Sequence, residues 1–408
     1  MSGRARESQI CYGIGPYRTV AGLVLFAAIM VLSYLIAKTL AAPYSTPIEL
    51  VDEQNLLPAN PQELPFYRDN YGKRYVLGFV GDIMHHAGQV GDDFFACYRS
   101  VKPSLASCDL TIGNLEFPVH PNRPSGAGFQ SARYNGSQAH LDALADAGFD
   151  ILCTANNHAF DQGLDGVRTT LDLLRQRKVT AIGTGYSESP PDPELIELEG
   201  VRLAIVAYTM TPNSYPNEDG EFDYWPRDWP IHGLNFSDWR DEYRREGQQL
   251  FDRHLRAARE SGAEFVVALV HWGREWHLRP SQDQRRAARD MIDAGFDLVV
   301  GSHSHVLNPP EIYGDALIAY SLGNFISDFV PWQTRVGAIL KVALARTPAG
   351  VKVVDFQYVP TWTRRAGHLV VPLGSAMEHQ QAPSFAEHVQ SFAEHVLGPG
   401  LTEMQPAQ

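Results

Sequence analysis

The segment that decides the fold reads Asp293-Ala-Gly-Phe-Asp-Leu-Val-Val-Gly-Ser-His-Ser-His305. Its first residues follow a helical stretch, and glycine at that point is typical of the left-handed residue past a helix C-terminus. The apolar run Leu298–Val300 then predicts a buried strand, which two histidines follow closely. The segment therefore predicts a helix, a turn and a strand that delivers imidazoles to its carboxyl end.

Four other apolar runs end in the same way, in metal-ligand or carboxylate side chains. They are Tyr75-Val-Leu-Gly-Phe-Val-Gly-Asp82, Asp109-Leu-Thr-Ile-Gly-Asn-Leu-Glu116, Phe149-Asp-Ile-Leu-Cys-Thr-Ala-Asn-Asn-His158 and Phe265-Val-Val-Ala-Leu-Val-His271. In open α/β sheets, ligands bind outside the carboxyl ends of the strands. Five such ends predict that Asp, Glu, Asn and His side chains converge at one edge of a sheet.

Helical and strand patterns alternate along the chain. The sequence Asp-Ala-Gly-Phe-Asp occurs at 146–150 and at 293–297, each time before a run that ends in candidate ligands. Helical periodicity is clear at 164–174 and at 246–261. The pattern predicts an α/β fold with a largely parallel or mixed sheet covered by helices.

Composition narrows the class of protein. The chain has 408 residues, of which 44% are hydrophobic and 20% charged, as is ordinary for a globular protein with a large core. Its net charge of -13 indicates no basic surface that would attract nucleic acid, so we do not expect nucleic acid as a partner.

Four cysteines are too few for a disulfide scaffold. The spacing of Cys97 and Cys108 leaves both the paired and the free state open.

An uncharged stretch near the N-terminus predicts a membrane anchor. Val20–Ala37 has 18 residues, close to the minimum of about 17–25 that span a bilayer as a helix. Three arginines precede it and only Lys38 follows closely, which places the N-terminus in the cytoplasm and the rest outside. We expect a cytoplasmic segment at 1–18 and a transmembrane signal-anchor helix at 19–38. A buried core helix and a cleaved signal near 39–41 are the alternatives.

Three further segments differ from the α/β pattern. Prolines in 39–73 predict a semi-extended tether. Residues 209–239, rich in Pro, Asp and aromatic residues, are either a functional rim or a loop over a core edge. In the tail, 376–408, the sequence Ser-Phe-Ala-Glu-His-Val occurs twice at a seven-residue offset, which predicts a short amphipathic helix that docks on the domain or on a partner.

The strand ends provide a mixed nitrogen and oxygen ligand set. Its members are Asp82, Glu116, Asn157, His271, His303 and His305. Such a set suits Mn, Fe or Zn, as one ion or as two ions about 3.5–4 Å apart. These ions polarise an ester, phosphoryl or amide oxygen and lower the pKa of a bound water towards ~7. A histidine that stays off the metals is then available to protonate a leaving group.

At these residues the chain resembles the CapA family, the poly-γ-glutamate capsule synthesis proteins. The motifs that carry the resemblance are Gly81-Asp-Ile-Met84, Gly113-Asn-Leu-Glu116, Ala155-Asn-Asn-His158 with Asp161 and Gly163, His271-Trp-Gly273 with Glu275, Gly301-Ser-His-Ser-His-Val306 and Tyr320-Ser-Leu-Gly-Asn-Phe325. They keep the family's order over roughly residues 75–328. The resemblance implies a four-layer α/β/β/α sandwich of metallophosphoesterase type over 74–375, preceded by one transmembrane helix.

The resemblance also implies roles for the candidate ligands. By similarity to metallophosphoesterases, Asp82 binds the first metal. His303 and His305 divide between the two metals, and Asn157 and His271 serve the second.

Other site residues are expected around these ligands. His158 takes the position of the histidine that assists the leaving group, and Asp161 orients its imidazole. Glu275 either supports His271, contacts substrate or is a surface carboxylate. Asn324 either belongs to the site or is a turn residue.

Two departures from the phosphoesterase pattern affect the first metal. The usual opening is Asp-x-His, whereas here His85 stands three residues after Asp82. His85 either contacts a metal or an anion or is solvated. The usual bridging aspartate is replaced, and we assign its place to Glu116, with Asn114 as second choice.

The function expected from this resemblance is the synthesis, export or attachment of poly-γ-glutamate by a metal-dependent hydrolase or transferase. The protein would be a single-pass cell-membrane protein with its C-terminal domain outside the cytoplasm. Its expected partners are an anionic polymer, the membrane and other capsule-synthesis membrane proteins. The alternatives are a non-catalytic export or anchoring module and a generic metal-dependent phosphodiesterase.

Overall fold

The computed structural model describes residues 64–126, 133–186, 191–210, 212–213, 231–373 and 383–398. The predicted cytoplasmic segment, transmembrane helix, most of the tether and most of the aromatic insertion lie outside these residues. Within them, no helix combines the length and apolar character that crossing a bilayer requires. The described residues form a mixed α/β fold with two sheets, as the sequence predicted.

The larger sheet has eight strands and includes three of the five predicted strand ends. Its spatial order is β14 (Val370–Pro372), β13 (Gly350–Thr363), β12 (Val336–Thr347), β1 (Arg74–Ile83), β2 (Leu110–Leu115), β3 (Ile151–Cys153) and β4 (Thr180–Ile182), with β11 (Asn324–Ile326) paired to the end of β1. Strands β1 to β4 and β11 run parallel, whereas β12, β13 and β14 are antiparallel to their neighbours.

The smaller sheet has six strands and includes the other two strand ends. Its order is β5 (Glu194–Leu198), β6 (Val201–Thr209), β7 (Phe265–His271), β8 (Leu298–Ser302), β10 (Ala316–Ala319) and β9 (Glu311–Tyr313). The four inner strands are parallel, and the two edge strands are antiparallel. All five apolar runs are therefore strands, which confirms that part of the sequence analysis.

Five helices of the described residues fall where the sequence predicted them, and the first two helices, which are short, were not predicted. They are α1 (Phe94–Tyr98), α2 (Lys102–Leu105), α3 (Gln138–Ala147), α4 (Gly163–Gln176), α5 (Asp241–Glu260), α6 (Gln282–Ala294) and α7 (Pro383–Leu397). The repeated glycine ends α3 and α6 with a positive φ, 98° at Gly148 and 123° at Gly295, as predicted. The tail helix, α7, buries Val389, Phe392 and Val396 in the core.

The two sheets pack face to face, and helices cover their outer faces. Phe79 of the larger sheet and Val267 of the smaller sheet belong to one apolar cluster between them. A second cluster joins the outer face of the larger sheet to α1, α2 and α3. A third joins the outer face of the smaller sheet to α5 and α6, through residues such as Phe251 and Met291. Burial of these apolar faces is the main stabilising contribution to such a fold.

The predicted tether needs a correction at its C-terminal end. Residues 64–73 lie on the domain instead of extending away from it. Leu64 is buried, and Phe66 and Tyr71 pack against an apolar patch that includes Val354 of β13. The reason is physical: these side chains are apolar, so covering β12 and β13 removes them from water.

The structure also answers the question left open for the cysteines. Cys97, Cys108 and Cys153 are free thiols. The Sγ of Cys97 donates to the carbonyl oxygen of Gly367 at 3.2 Å, which engages it away from Cys108.

Two buried histidines make the fold sensitive to acid. Tyr208 hydroxyl lies 2.8 Å from His254 Nδ1, and the His232 ring packs 4.3 Å from the His254 ring. Burial, with the charges of His232 and Arg253, lowers the pKa of His254 to about 3. Burial likewise lowers the pKa of His232 to about 4. An unfolded histidine titrates near ~6.5, so the folded state stays neutral where the unfolded chain binds protons.

We therefore expect stability to be complete above about pH 6.5 and to fall as the pH drops towards the folded pKa values. The substitution His254→Gln keeps an acceptor for Tyr208 but cannot titrate. It should reduce the pH slope of the unfolding free energy by about 1.4 kcal/mol per pH unit between pH 6 and 4.5. Chemical denaturation at several pH values measures this slope, and an unchanged slope would contradict the account.

Candidate metal centre

The registers of the strands bring the predicted ligands together. Asp82 pairs with Asn114 of β2 on one side and with Asn324 of β11 on the other. In the smaller sheet, His271 at the end of β7 pairs with Ser302 at the end of β8. Because these strands are parallel, their carboxyl ends meet at one edge, as the sequence analysis expected.

The backbone after β8 is strained so that two histidines face this edge. His303 and His305 have φ values of 95° and 58°. Residues other than glycine rarely adopt a positive φ. This backbone conformation costs on the order of 1–3 kcal/mol per residue and is typical of functional sites. The backbone N–H of His303 points at the Asp82 carboxylate, 3.2 Å from Oδ2. The turn therefore positions both an N–H donor and two imidazoles.

One group of ligand atoms surrounds Asp82. His305 Nδ1 lies 3.1 Å from Asp82 Oδ2, and His305 Nε2 lies 3.8 Å from Glu116 Oε1. Asn114 Nδ2 donates to Asp82 Oδ1 at 2.8 Å. Asn324 Oδ1 lies 2.9 Å from His305 Nδ1, so Asn324 belongs to the site and orients this imidazole.

A second group surrounds His271. Its Nε2 lies 2.7 Å from Asn157 Oδ1, 3.1 Å from His303 Nδ1 and 3.4 Å from Glu116 Oε1. Its Nδ1 lies 2.8 Å from Ser302 Oγ, which holds the ring in place. Two imidazole nitrogens, an amide oxygen and a carboxylate oxygen thus point at one small volume.

Glu116 is common to both groups. The two groups also approach each other, because ligand atoms of Glu116, His303 and His305 lie within 4.8 Å of one another, and so do those of Asp82, Glu116 and His271. Glu116 Oε1 is buried and accepts no hydrogen bond from the described residues. A buried acceptor of this kind is costly unless it is neutralised. The donor set therefore fits a divalent cation, and Glu116 fits the bridging place better than Asn114, whose Oδ1 accepts from Asn156 at 3.3 Å.

The pKa values of the two buried carboxyls, Glu116 and Asp82, are shifted in opposite directions. Burial and the charge of Asp82 raise the pKa of Glu116 well above its usual range. Burial would also raise the pKa of Asp82, but its hydrogen bond and charge interaction with His305 outweigh this and lower it. The same contact raises the pKa of His305 against the effect of burial. Without a cation, Asp82 and His305 form an ion pair and the Glu116 carboxyl is neutral.

The other two imidazoles are neutral. Burial and the charge of His303 lower the pKa of His271 well below its usual range. Burial and the charge of His305 lower the pKa of His303 to about 3. A neutral imidazole keeps the lone pair that metal binding requires.

His158 and Asp161 form a separate dyad at the edge of the ligand groups. His158 Nδ1 lies 2.7 Å from Asp161 Oδ2, and the backbone N–H of Tyr134 donates to the same oxygen at 2.6 Å. The Tyr134 ring packs 4.3 Å from the His158 ring, and Asn213 Nδ2 lies 3.4 Å from His158 Nδ1. A carboxylate accepts but does not donate, so Nδ1 carries the proton and Nε2 is left for chemistry.

The rim of the centre contains a carboxylate and an aromatic side chain. Glu275 Oε1 lies 4.0 Å from His305 Nε2, and its side chain is 43% exposed. The Phe329 ring packs 4.9 Å from His305 and 4.7 Å from His86. Glu275 thus lies close to His305, while support of His271 was one of the three roles that the sequence left open for it.

His85 is the one candidate that the structure does not bring to the ligands. It is buried beside Phe94 and Phe117, with Nδ1 3.0 Å from His140 Nδ1. It is therefore neither at an ion nor solvated. Spacing alone could not show this, because the side chain after the end of β1 turns into the outer apolar cluster.

Several partner residues were missed by the sequence analysis. Asn156 and Ser302 lie inside the quoted motifs, so their polar side chains beside Asn157 and His303 were a usable signal. Tyr134 lies in a loop without a motif, whereas Asn213 lies in the 209–239 segment, which the sequence analysis interpreted as a functional rim or a loop over a core edge.

Comparisons with known proteins find a family model and curated relatives that match most of the domain. The family model described as "Bacterial capsule synthesis protein PGA_cap" matches residues 76–329. The chain is 30% identical over 281 residues to the PGA biosynthesis protein CapA of Bacillus subtilis (strain 168), covering 67% of this chain and 68% of that protein. It is 28% identical over 293 residues to the capsule biosynthesis protein CapA of Bacillus anthracis, covering 68% and 65%. The chain thus spans about two thirds of the length of these curated relatives.

A solved structure with some likeness is the calcineurin-like phosphoesterase YfkN from Bacillus subtilis. The TM-score is 0.42 and the identity 12%, over 79% of this chain and 98% of that chain.

We expect Glu116→Gln to abolish shared coordination while leaving the fold intact. Gln is nearly isosteric with the neutral Glu116 carboxyl, so the stability of the metal-free protein should change little. Affinity for Mn²⁺ or Zn²⁺ should fall by at least about 100-fold, because even residues that only support ligands are worth about 10–100-fold. Calorimetric titration and elemental analysis measure both. Glu275→Gln, at the exposed rim, is the control and should keep the ions; equal binding by Glu116→Gln and wild type would refute the bridging assignment.

Proposed function

This chain belongs to the bacterial capsule synthesis protein family, and from that premise we propose that it is a metal-dependent hydrolase or transferase acting on an anionic capsule polymer such as poly-γ-glutamate. The observation that carries the proposal is the buried Glu116 carboxyl, which lies between two ligand groups and whose Oε1 accepts no hydrogen bond from the described residues. The names of the relatives, which refer to PGA and capsule biosynthesis, support the polymer as substrate.

We propose that the two groups of ligand atoms, around Asp82 and around His271, each hold one ion of Mn, Fe or Zn. Asp82, Glu116 and His305 would hold one ion, and Glu116, Asn157, His271 and His303 would hold another. An ion bound there supplies Lewis-acid chemistry, which polarises a substrate oxygen and makes a water more acidic.

His158 would move the proton that the reaction requires. Asp161 accepts a hydrogen bond from the protonated Nδ1 and another from the Tyr134 N–H, which holds the imidazole ring in one orientation. This leaves Nε2 to donate a proton to, or accept one from, a leaving group. Because His158 is almost completely buried, substrate would have to displace water from the site to reach it.

One observation favours the alternative of a non-catalytic export or anchoring module. Met84, which is fully buried, stands where the metallophosphoesterase pattern has its first histidine. The first ion would therefore have fewer protein ligands than the resemblance implies. A module that only binds polymer would tolerate this loss.

The domain division and the membrane location are proposals as well. We propose that 74–375 form a four-layer sandwich of metallophosphoesterase type, supported by the two facing sheets and their outer helices. We propose that 19–38 anchor the chain with the domain outside the cytoplasm, supported by the uncharged stretch and the arginines before it.

The anchor leads to a direct prediction. The full-length chain should remain in the membrane fraction after alkaline extraction, and a chain that lacks residues 1–38 should be released. External protease should digest the domain of intact cells stripped of their wall. Release of the full-length chain by alkali would overturn the anchor.

We expect His158→Gln to lower kcat by about 10²–10⁴-fold, because a positioned general acid or base contributes about that much. Its metal content should stay unchanged, since His158 is in neither ligand group. Asp161→Asn should cause a smaller loss. The assay is release or transfer of poly-γ-glutamate by the full-length chain with Mn²⁺, run beside an aryl phosphodiester.

The two assays separate the three functions. Unchanged polymer handling by His158→Gln would favour the non-catalytic module. Hydrolysis of the aryl phosphodiester with no effect on the polymer would favour a generic phosphodiesterase.

A further inference from the structure

We propose that Arg335 and Arg365 form an anion-binding subsite beside the metal centre, suited to the carboxylates of an acidic polymer. The choice of polymer rests on the proposed function. The subsite itself rests on the contacts of the two arginines.

Arg335 is a buried cation that forms no direct ion pair with the described residues. It is only 9% exposed, its guanidinium lies 4.2 Å over the Trp362 ring, and its Nε donates to the Thr363 carbonyl at 2.9 Å. Within the part of the chain that the structure describes, neither Arg335 nor Arg365 forms an ion pair. A desolvated, unpaired charge is costly, and an incoming anion would remove that cost.

The two positive charges also lie close to each other. Burial and the charge of Arg365 lower the pKa of Arg335 to about 10. The nearby carboxylate, Asp328, is already engaged, because its Oδ1 lies 3.0 Å from His368 Nε2. Contacts with Asp328 and Asp92 raise the pKa of His368 against the effect of burial, so a single imidazolium offsets one of these two negative charges. The two arginines outweigh the negative charge that remains, which leaves this cluster with a small surplus of positive charge.

Arg365 is attached to a loop that lines the metal centre. Its Nη2 donates to the Val330 carbonyl at 3.5 Å, and Val330 is 58% exposed. The preceding residue, Phe329, packs against the ring of His305. A polymer that extends from the centre across Phe329 and Val330 would reach the Arg365 guanidinium.

Arg335 is linked to the centre through the turn before it. The Thr334 carbonyl accepts from Asn324 Nδ2 at 2.8 Å, and Asn324 Oδ1 lies 2.9 Å from His305 Nδ1. Arg335 thus directly follows Thr334, which holds the amide that orients His305, and this places the subsite beside the reacting region.

The chemistry of the ligand follows from the guanidinium. Its planar fork binds carboxylate or phosphate through two parallel hydrogen bonds. A chain with a net charge of -13 repels a polyanion at long range, so a local surplus of positive charge is needed to hold one. A polymer with a carboxylate on every repeat can occupy the centre and the subsite together.

The test measures binding of a fluorescent poly-γ-glutamate oligomer to the full-length chain with Mn²⁺, at several salt concentrations. We expect Arg365→Gln to weaken binding about three- to tenfold and to reduce its salt dependence. Arg335→Lys, which keeps the charge but loses the planar fork, should also weaken binding. If Arg335→Lys does not fold, the exposed Arg365 decides the result alone. Arg168→Gln, an exposed arginine of α4, is the matched control and should bind like wild type.

Three outcomes would overturn the subsite. They are wild-type affinity in Arg365→Gln, an equal loss in Arg168→Gln, and loss of bound Mn²⁺ in Arg365→Gln. Displacement of the oligomer by inorganic phosphate at lower concentrations than by glutamate would overturn the assignment to carboxylates. Failure of the proposed catalysis is distinguishable, because it would appear in His158→Gln and leave the effect of Arg365→Gln on binding unchanged.

Discussion

The buried carboxyl of Glu116 imposes the constraint on which the rest of the site depends. It is removed from water, lies beside a second carboxylate and has an oxygen that accepts no hydrogen bond from the described residues. Such a group must either take up a proton or meet a cation. The imidazoles of His271 and His303 stay neutral, so they do not themselves neutralise the Glu116 carboxylate. They can instead act as ligands of a cation that binds beside it. The same arrangement would be a defect in an ordinary core.

The fold can maintain this arrangement because the backbone comes unusually close at the strand ends. A Cβ on Gly81 would lie 1.9 Å from the Gly323 oxygen, and one on Gly301 would lie 2.1 Å from the Tyr320 oxygen. Only glycine permits these approaches, which place Asp82 next to Asn324 and His303 next to Asp82. The strained turn at His303 and His305 is held by the three apolar clusters on either side of the sheets.

Charge is distributed in a way that suits an anionic substrate. The chain as a whole is acidic, and the Glu275 carboxylate stands at the rim of the site. Positive charge lies at the two arginines beside the Phe329 loop, and the proposed ions would add more at the ligand groups. This separation of positive and negative charge favours a polyanion that binds at the ligand groups and at the two arginines and is repelled by the rest of the surface.

What the sequence determined by itself was the set of strands and the residue types at their ends. Apolar runs predict strands, and parallel strands must end at one edge, so Asp82, Asn157 and His271 could be grouped from local pattern alone. What only the tertiary structure decided was which side chain faces which. Packing between distant segments decides three such contacts. It lets both ligand groups share Glu116, it buries His85 in an outer cluster, and it brings His368 to Asp92 across 276 residues. Local pattern carries no information on such contacts, because the direction of each side chain is set by neighbours that the chain brings together only on folding.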